Sequence, residues 1–597
     1  MQRPMKNNLL IAISLMSSNL LSAQYAMQNV LDREKTSLNG EWSVLIDPSS
    51  TGKKSWFNPQ ATTEKHKLSE VYYDGDWELT VPGDWNHQMP ELIYYEGEMW
   101  YKRDFIFTPQ EDKRTFLHFG AVSQHCEVFL NGESIGKHRG AFTPFQFELT
   151  DKLKDGHNFI IVKVDNRRST MSIPALQFDW WNYGGITRDV DLVSVADNYI
   201  YDYTVGLKDN KDDLLYVEVQ LDGEEIANKK VEVEIAEAKT KLTLTTDENG
   251  FASATKKANL TLWSPENPKL YDVVLKTSDE TIDDEIGFRT IEVEGEDILL
   301  NGKPIFLKGI NIHEEIASEE RRSYNQEDAR FLIDQAKELG CNFIRLSHYA
   351  HNEYMVRLAE KNGMLMWEEI PTWQSINFKE PSVCKYAQDM MTEMIERDKN
   401  RCGIILWSIS NETHQYSSHR NDCLSKLANY TREIDPTRLV TSALHMAQIA
   451  NENGKYYMEL KDPLIEHLDV VGINKYMGWY TPFPCDAKDL NWRIATGKPV
   501  IMSEFGSECV AGNYAGDPEN LNSWHEVYMS NNYRNNIASF ENFPNLRGTS
   551  PWILFDFRSP RRPHAKFQKG WNRKGLISPD GVKKQAWYVM RDYYRSK

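Results

Sequence analysis

The second half of the chain is written in a pattern that few folds can satisfy. After Gly295, short apolar runs alternate with segments long enough to hold a helix. The runs cover residues 305–311, 343–349, 364–370, 404–412, 439–444, 470–476, 499–506 and 552–557. A strand that is apolar on both faces must be buried on both, as in a parallel sheet covered by helices. Between the first two runs, Ala329, Leu332, Ile333, Ala336 and Leu339 share one helical face, and Gly340 follows where a left-handed cap is wanted. Eight such units predict a (β/α)8 TIM barrel over residues 294–597.

Two runs end in a carboxylate. Ile404-Ile405-Leu406-Trp407-Ser408-Ile409-Ser410 is apolar or small until Asn411 and Glu412, and Val500-Ile501-Met502-Ser503 delivers Glu504. Counting strands places Glu412 at the carboxyl end of the fourth and Glu504 at the end of the seventh, on the face where barrels do chemistry. Two facing carboxyl groups can cleave a glycosidic bond. A gap of about 5–5.5 Å gives retention of configuration, and about 6.5–9.5 Å gives inversion. Glu368, Glu369 and Asp556 sit at similar places, so strand position alone does not single the pair out. Asn411 is an amide placed to hold a sugar hydroxyl, and Tyr476, ending the sixth strand, can hydrogen-bond a neighbouring carboxylate. His348 after the second strand and Trp552 on the eighth are candidate pocket walls.

The first half reads differently. Residues 24–195 contain short alternating runs separated by turn signals, with Asn131-Gly132 as a two-residue hairpin turn, which predicts a β jelly roll. Residues 196–293 alternate with period two, as in Val231-Glu232-Val233-Glu234-Ile235, which predicts an immunoglobulin-like β-sandwich acting as a spacer. Phe178-Asp179-Trp180-Trp181-Asn182-Tyr183-Gly184-Gly185-Ile186 is either a turn beside an aromatic cluster or a loop that reaches into a binding site.

Net charge of −18 argues against nucleic acid or an anionic membrane as partner. Against that background Arg558, Arg561, Arg562, Lys566, Lys569, Arg573 and Lys574 form a run without an acid, either a solvated loop or a cationic lip for an anionic substrate. The seven cysteines are odd in number and scattered, which fits neither a disulfide framework nor a zinc site and predicts that most are core residues or free thiols. No cofactor or metal is implied. Arg3 and Lys6, a broken apolar stretch and Leu21-Ser22-Ala23 predict a signal peptide over residues 1–23 and a periplasmic or secreted product without a membrane anchor.

These motifs together resemble family 2 of the glycoside hydrolases, which includes β-galactosidases, β-glucuronidases and β-mannosidases. The resemblance spans nearly the whole chain. It is carried by Val128-Phe129-Leu130-Asn131-Gly132, Leu262-Trp263-Ser264-Pro265-Glu266-Asn267-Pro268, Leu300-Asn301-Gly302-Lys303-Pro304, Trp407 to Glu412, and Ser503-Glu504-Phe505-Gly506. It implies a retaining exo-β-glycosidase with Glu412 as acid/base, Glu504 as nucleophile and a terminal carbohydrate as substrate. It is also compatible with a homo-oligomer. Within the family, Arg345-Leu346-Ser347-His348-Tyr349, Asn474-Lys475-Tyr476-Met477-Gly478-Trp479-Tyr480 and Asp179 ahead of Asn182 are similar to β-glucuronidase segments. Asn572-Arg573-Lys574 matches the Asn-x-Lys motif that holds a sugar carboxylate there. The resemblance thus adds Asp179, Tyr480, Asn572 and Lys574 to the substrate-binding candidates. One departure is Gln568, where those relatives carry Arg, and the string from Trp571 to Gly575 also resembles relatives called β-galactosidases, which keeps that sugar as the alternative.

Overall fold

The computed structural model describes residues 22–52, 54–57, 73 and 77–597. All but the last two residues of the expected signal peptide lie outside these. Between Gln24 and Ala196 the chain forms two antiparallel sheets, of five and six strands. Trp42, Tyr101, Leu117, Phe119, Val128, Ile160 and Val162 fill the core of this unit. The Asn131-Gly132 turn joins strands His125–Leu130 and Glu133–Arg139 with φ of 51° and 88°, the left-handed pair that a twisted two-residue hairpin needs.

Between Tyr199 and Gly287 a three-stranded and a four-stranded sheet make the second sandwich. In the strand Leu214–Asp222 every second residue is buried, so its period-two pattern faces a real core. Trp263, fully buried, donates from its indole nitrogen to the Glu360 carbonyl at 3.0 Å and pins this unit to the next.

The remainder is a closed parallel barrel. Its strands are β1 (Leu307–Ile312), β2 (Phe343–Leu346), β3 (Leu365–Glu369), β4 (Ile404–Asn411), β5 (Leu439–Leu444), β6 (Val470–Asn474), β7 (Val500–Glu504) and β8 (Leu546–Thr549). Every residue of β2 to β7 is buried, as apolar runs shielded on both faces require. The predicted helix forms over Gln326–Leu339 and ends on Gly340 at φ 96°.

Three sequence expectations need correction. The eighth strand is Leu546–Thr549, not residues 552–557. Gly548 sits where a Cβ would stand 2.7 Å from the Leu307 Cβ, so barrel closure needs this weakly apolar, glycine-bearing segment. The apolar run after it is buried, irregular chain from Trp552 to Asp556, preceded by the Ser550 and Pro551 carbonyls that accept from the Asn311 side-chain amide, and only its last residue enters a short strand, Phe557–Arg558, outside the barrel. Second, the segment after β5 makes a hairpin, Gln448–Glu452 with Lys455–Glu459, rather than an α-helix. Asn453 and Gly454 turn it with φ of 52° and 83°. Third, Cys384 and Cys423 form a disulfide. They lie on the helices Pro381–Asp398 and Ser418–Ile434, and helix packing brings together thiols 39 residues apart.

Candidate active site

Glu412 follows β4 in a left-handed backbone conformation (φ 53°), which turns its side chain out of the strand's alternation. Its two carboxyl oxygens each accept one amide hydrogen bond. Asn474 Nδ2, at the end of β6, donates to Oε1 at 2.9 Å, and Gln374 Nε2 donates to Oε2 at 2.8 Å. Glu504, the last residue of β7, is held differently. Arg345 Nη1 donates to its Oε1 at 2.9 Å and Tyr476 Oη donates to its Oε2 at 2.7 Å. The Tyr476 contact is the carboxylate partnership expected from the end of the sixth strand.

The electrostatics differ as the partners do. Burial pushes the Glu504 carboxyl above the usual carboxylate range, Arg345 pulls it back, and the Glu412 charge pushes it up again. Glu412 therefore lies close enough for its charge to act on Glu504. Arg345 is wholly buried, and its guanidinium also binds Glu369 at 2.9 Å and the Asn411 Oδ1 at 2.8 Å. Burial resists the ionisation of Glu369, but Arg345 and His348 outweigh it and hold that carboxyl at about 2. Glu369 is thus a fixed anion that keeps Arg345 aimed at Glu504.

The other predicted residues converge on the same place. A cavity of about 420 Å³ is lined by Asp179, His348, Glu412, Tyr476, Tyr480, Glu504, Trp552 and Lys574, with Trp373, Gln374, His445, Asn474, Arg561 and Arg562. His348 stacks on Trp552 at 4.7 Å between ring centroids, and its Nδ1 lies 2.6 Å from Glu369. Trp552 therefore forms part of the wall even though its segment is not a strand. Asn411 lies just beneath, with its Oδ1 occupied by Arg345 and Asn474. Its Nδ2 is buried and has no partner among the described residues, and Asn411 is not among the residues that line the cavity.

Asp179 arrives from the first domain. Ser559 Oγ donates to it at 2.6 Å, Arg562 pairs with it, and Asn572 Nδ2 donates at 3.2 Å. Both readings of the 178–186 loop are met, since Trp180 packs among His313, His348, Tyr349 and Trp373 while Asp179 lines the cavity. Lys574, 1% exposed, reaches Tyr480 Oη at 2.8 Å and Glu508 at 2.9 Å. Burial opposes the ionisation of both partners. Lys574 and Arg562 reverse that, holding Glu508 at about 2 and drawing the Tyr480 phenol below its ordinary value. Asn572 is fully buried beside Lys574, its Oδ1 accepting from the Lys574 backbone at 3.1 Å. Gln568, at the departing position, donates to Glu508 at 3.0 Å, and Arg562 brings the guanidinium that position lacks.

Arg345, Glu369, Gln374, Asn474 and Glu508 were not singled out from the sequence, whereas Arg561 and Arg562 belong to the basic run read as either a solvated loop or a cationic lip. Asn474 and Glu369 had a signal, since both end barrel strands. Gln374 and Glu508 lie in loops past strand ends and had none.

An eight-stranded barrel with two carboxylates in the pocket at its strand ends, entered by a loop from a β-sandwich, is the architecture of a multidomain glycoside hydrolase. The chain matches the models of the glycosyl hydrolases family 2 sugar-binding domain over residues 35–196, of glycosyl hydrolases family 2 over 198–289, and of the glycosyl hydrolases family 2 TIM barrel domain over 291–594. It belongs to glycoside hydrolase family 2. Among proteins it is similar to are the β-glucuronidase of Streptococcus agalactiae, 25% identical over 89% of this chain and 95% of that protein, and the β-glucuronidase of Rattus norvegicus, 24% identical over 94% and 91%. The solved structure of Faecalibacterium prausnitzii β-glucuronidase superposes with a TM-score of 0.81 at 26% identity, covering 96% of this chain and 99% of that one.

Proposed function

We propose that this family 2 enzyme is a secreted or periplasmic, retaining exo-β-glucuronidase. The observation that carries the sugar assignment is the buried Lys574 ammonium in the wall of the pocket that holds both glutamates, with Asn572 hydrogen-bonded to its backbone. A buried ammonium with two of its three donors taken by Glu508 and Tyr480 keeps one for a sugar carboxylate, whereas a neutral hydroxymethyl group makes no use of its charge. The relatives named above support the same reading. The disulfide between Cys384 and Cys423 suits an oxidising compartment, in keeping with the predicted leader.

In this reading Glu504 attacks the anomeric carbon while Glu412 protonates the glycosidic oxygen. Arg345 and Tyr476 each occupy one Glu504 oxygen and hold the carboxylate in a fixed orientation for attack. Glu412 gives its proton to the departing oxygen in the first step and takes a proton from the water that releases the sugar in the second.

The test compares hydrolysis of an aryl β-glucuronide with that of the matching β-galactoside, in the wild type and in Lys574→Ala. The glucuronide is expected to be strongly preferred, and the variant is expected to lose about 10- to 100-fold in kcat/KM on it, the weight of one charge-assisted hydrogen bond. A galactoside preference indifferent to Lys574 would sink the uronate assignment in favour of a β-galactosidase.

A further inference from the structure

Four lysine and arginine side chains line the pocket, and they are not equivalent: Lys475 donates to the Ala447 carbonyl at 2.8 Å. Arg562 is paired with Asp179, and Lys574 with Glu508. Arg561 is exposed, and among the described residues its guanidinium has neither a hydrogen-bond acceptor nor an ion-pair partner. It lies instead over the face of Trp373, 5.5 Å from the ring centroid. In a chain of net charge −18, an unpaired guanidinium facing a pocket with two carboxylates is not explained by internal neutralisation.

Its location tells which part of a substrate it would meet. Trp373 is followed directly by Gln374, whose amide donates to Glu412. The glycosidic oxygen must lie within reach of the Glu412 carboxyl, so the departing sugar passes along the wall that carries Gln374 and Trp373. Lys574 and Asn572 instead serve the sugar that stays. The buried Trp373 indole holds the guanidinium over its face, and the guanidinium offers forked donors to a planar carboxylate or to a sulfate.

We propose that Arg561 and Trp373 form a leaving-group subsite that selects a sugar bearing an anionic substituent, so that the substrate is an acidic glycan charged on both sides of the cleaved bond. This rests on the β-glucuronidase reading and deepens it. The alternative, that Arg561 only packs on Trp373 as a surface side chain, predicts no dependence on the charge of the departing sugar.

The test uses the purified full chain and three disaccharides with a terminal β-glucuronosyl residue, whose second sugar is neutral, carboxylated or sulfated. A nitrophenyl β-glucuronide reports the glycone separately. The wild type is expected to favour at least one anionic disaccharide over the neutral one in kcat/KM by about tenfold or more, with the preference falling as salt is raised. Arg561→Ala should collapse that ratio towards one, and Arg561→Lys should restore part of it. Whichever of the carboxylated and sulfated substrates is favoured identifies the anion. A wild-type ratio near one, or a ratio that Arg561→Ala leaves in place, overturns the subsite. Failure to hydrolyse the nitrophenyl glucuronide would instead overturn the glucuronidase reading beneath it.

Discussion

Removing one hydroxyl, in Tyr476→Phe, tests the assignment of Glu504 as nucleophile through its titration. Glu504 Oε2 accepts a single side-chain hydrogen bond, from Tyr476 Oη at 2.7 Å, while Arg345 serves Oε1. The phenol favours the charged carboxylate, so its loss must raise the Glu504 pKa, which burial already holds above the usual range. A hydrogen bond to a charged group is worth about 1.5–3 kcal/mol. At about 1.4 kcal/mol for each factor of ten, the acid limb should move up by about one to two pH units. Glu504 must be ionised to attack, so kcat/KM falls as pH drops through its pKa, and the variant should lose more activity in acid than at neutral pH. The assay is the pH profile of kcat/KM on an aryl β-glucuronide, which reports groups of the free enzyme. Thermal melting would confirm that the fold survives. An acid limb that stays in place or moves down, with the fold intact, would refute the assignment, because loss of packing alone lowers rates without moving that limb.

Other outcomes follow from particular residues. Glu504→Gln should lower kcat by roughly a thousandfold or more with an unchanged melting profile, and substantial activity in that variant would remove Glu504 from the nucleophile's role. Glu315 is buried with one backbone donor to Oε2 and, among the described residues, none to Oε1, and burial pushes its carboxyl up to about 8. Because its folded value is raised, the folded chain keeps a proton that the unfolded chain has lost, so stability falls as pH rises towards about 8. Glu315→Gln should flatten that decline, an effect on the order of a few kcal/mol at the alkaline end in denaturant titrations. Cys384→Ser should cost up to about 4 kcal/mol for a loop of 39 residues under oxidising conditions, with the difference vanishing when both proteins are reduced.

The barrel and its two glutamates were legible in the sequence because burial on both faces leaves an apolar run, and a polar residue at its end must lie at the rim. The helix over Gln326–Leu339 was legible to the residue because its apolar face and its glycine cap are both local. The eighth strand was not. Its residues are selected for close approach to Leu307, while the more apolar segment after it is buried by the barrel's own lid of loops. Neither circumstance has a local signature.

By itself the sequence determined the order of the elements, the strand ends that carry Glu412 and Glu504, and the cluster of cations that follows the barrel. Only the tertiary structure decided which cations are neutralised and which are not. Asp179 meets Arg562 across 383 positions, Arg345 meets Glu504 across 159, and Cys384 meets Cys423 through two packed helices. The physical reason is that periodicity and capping act over a few residues, whereas charge pairing depends on distance in space, which the chain sets only after it has closed the barrel and laid a loop of its first domain into the mouth.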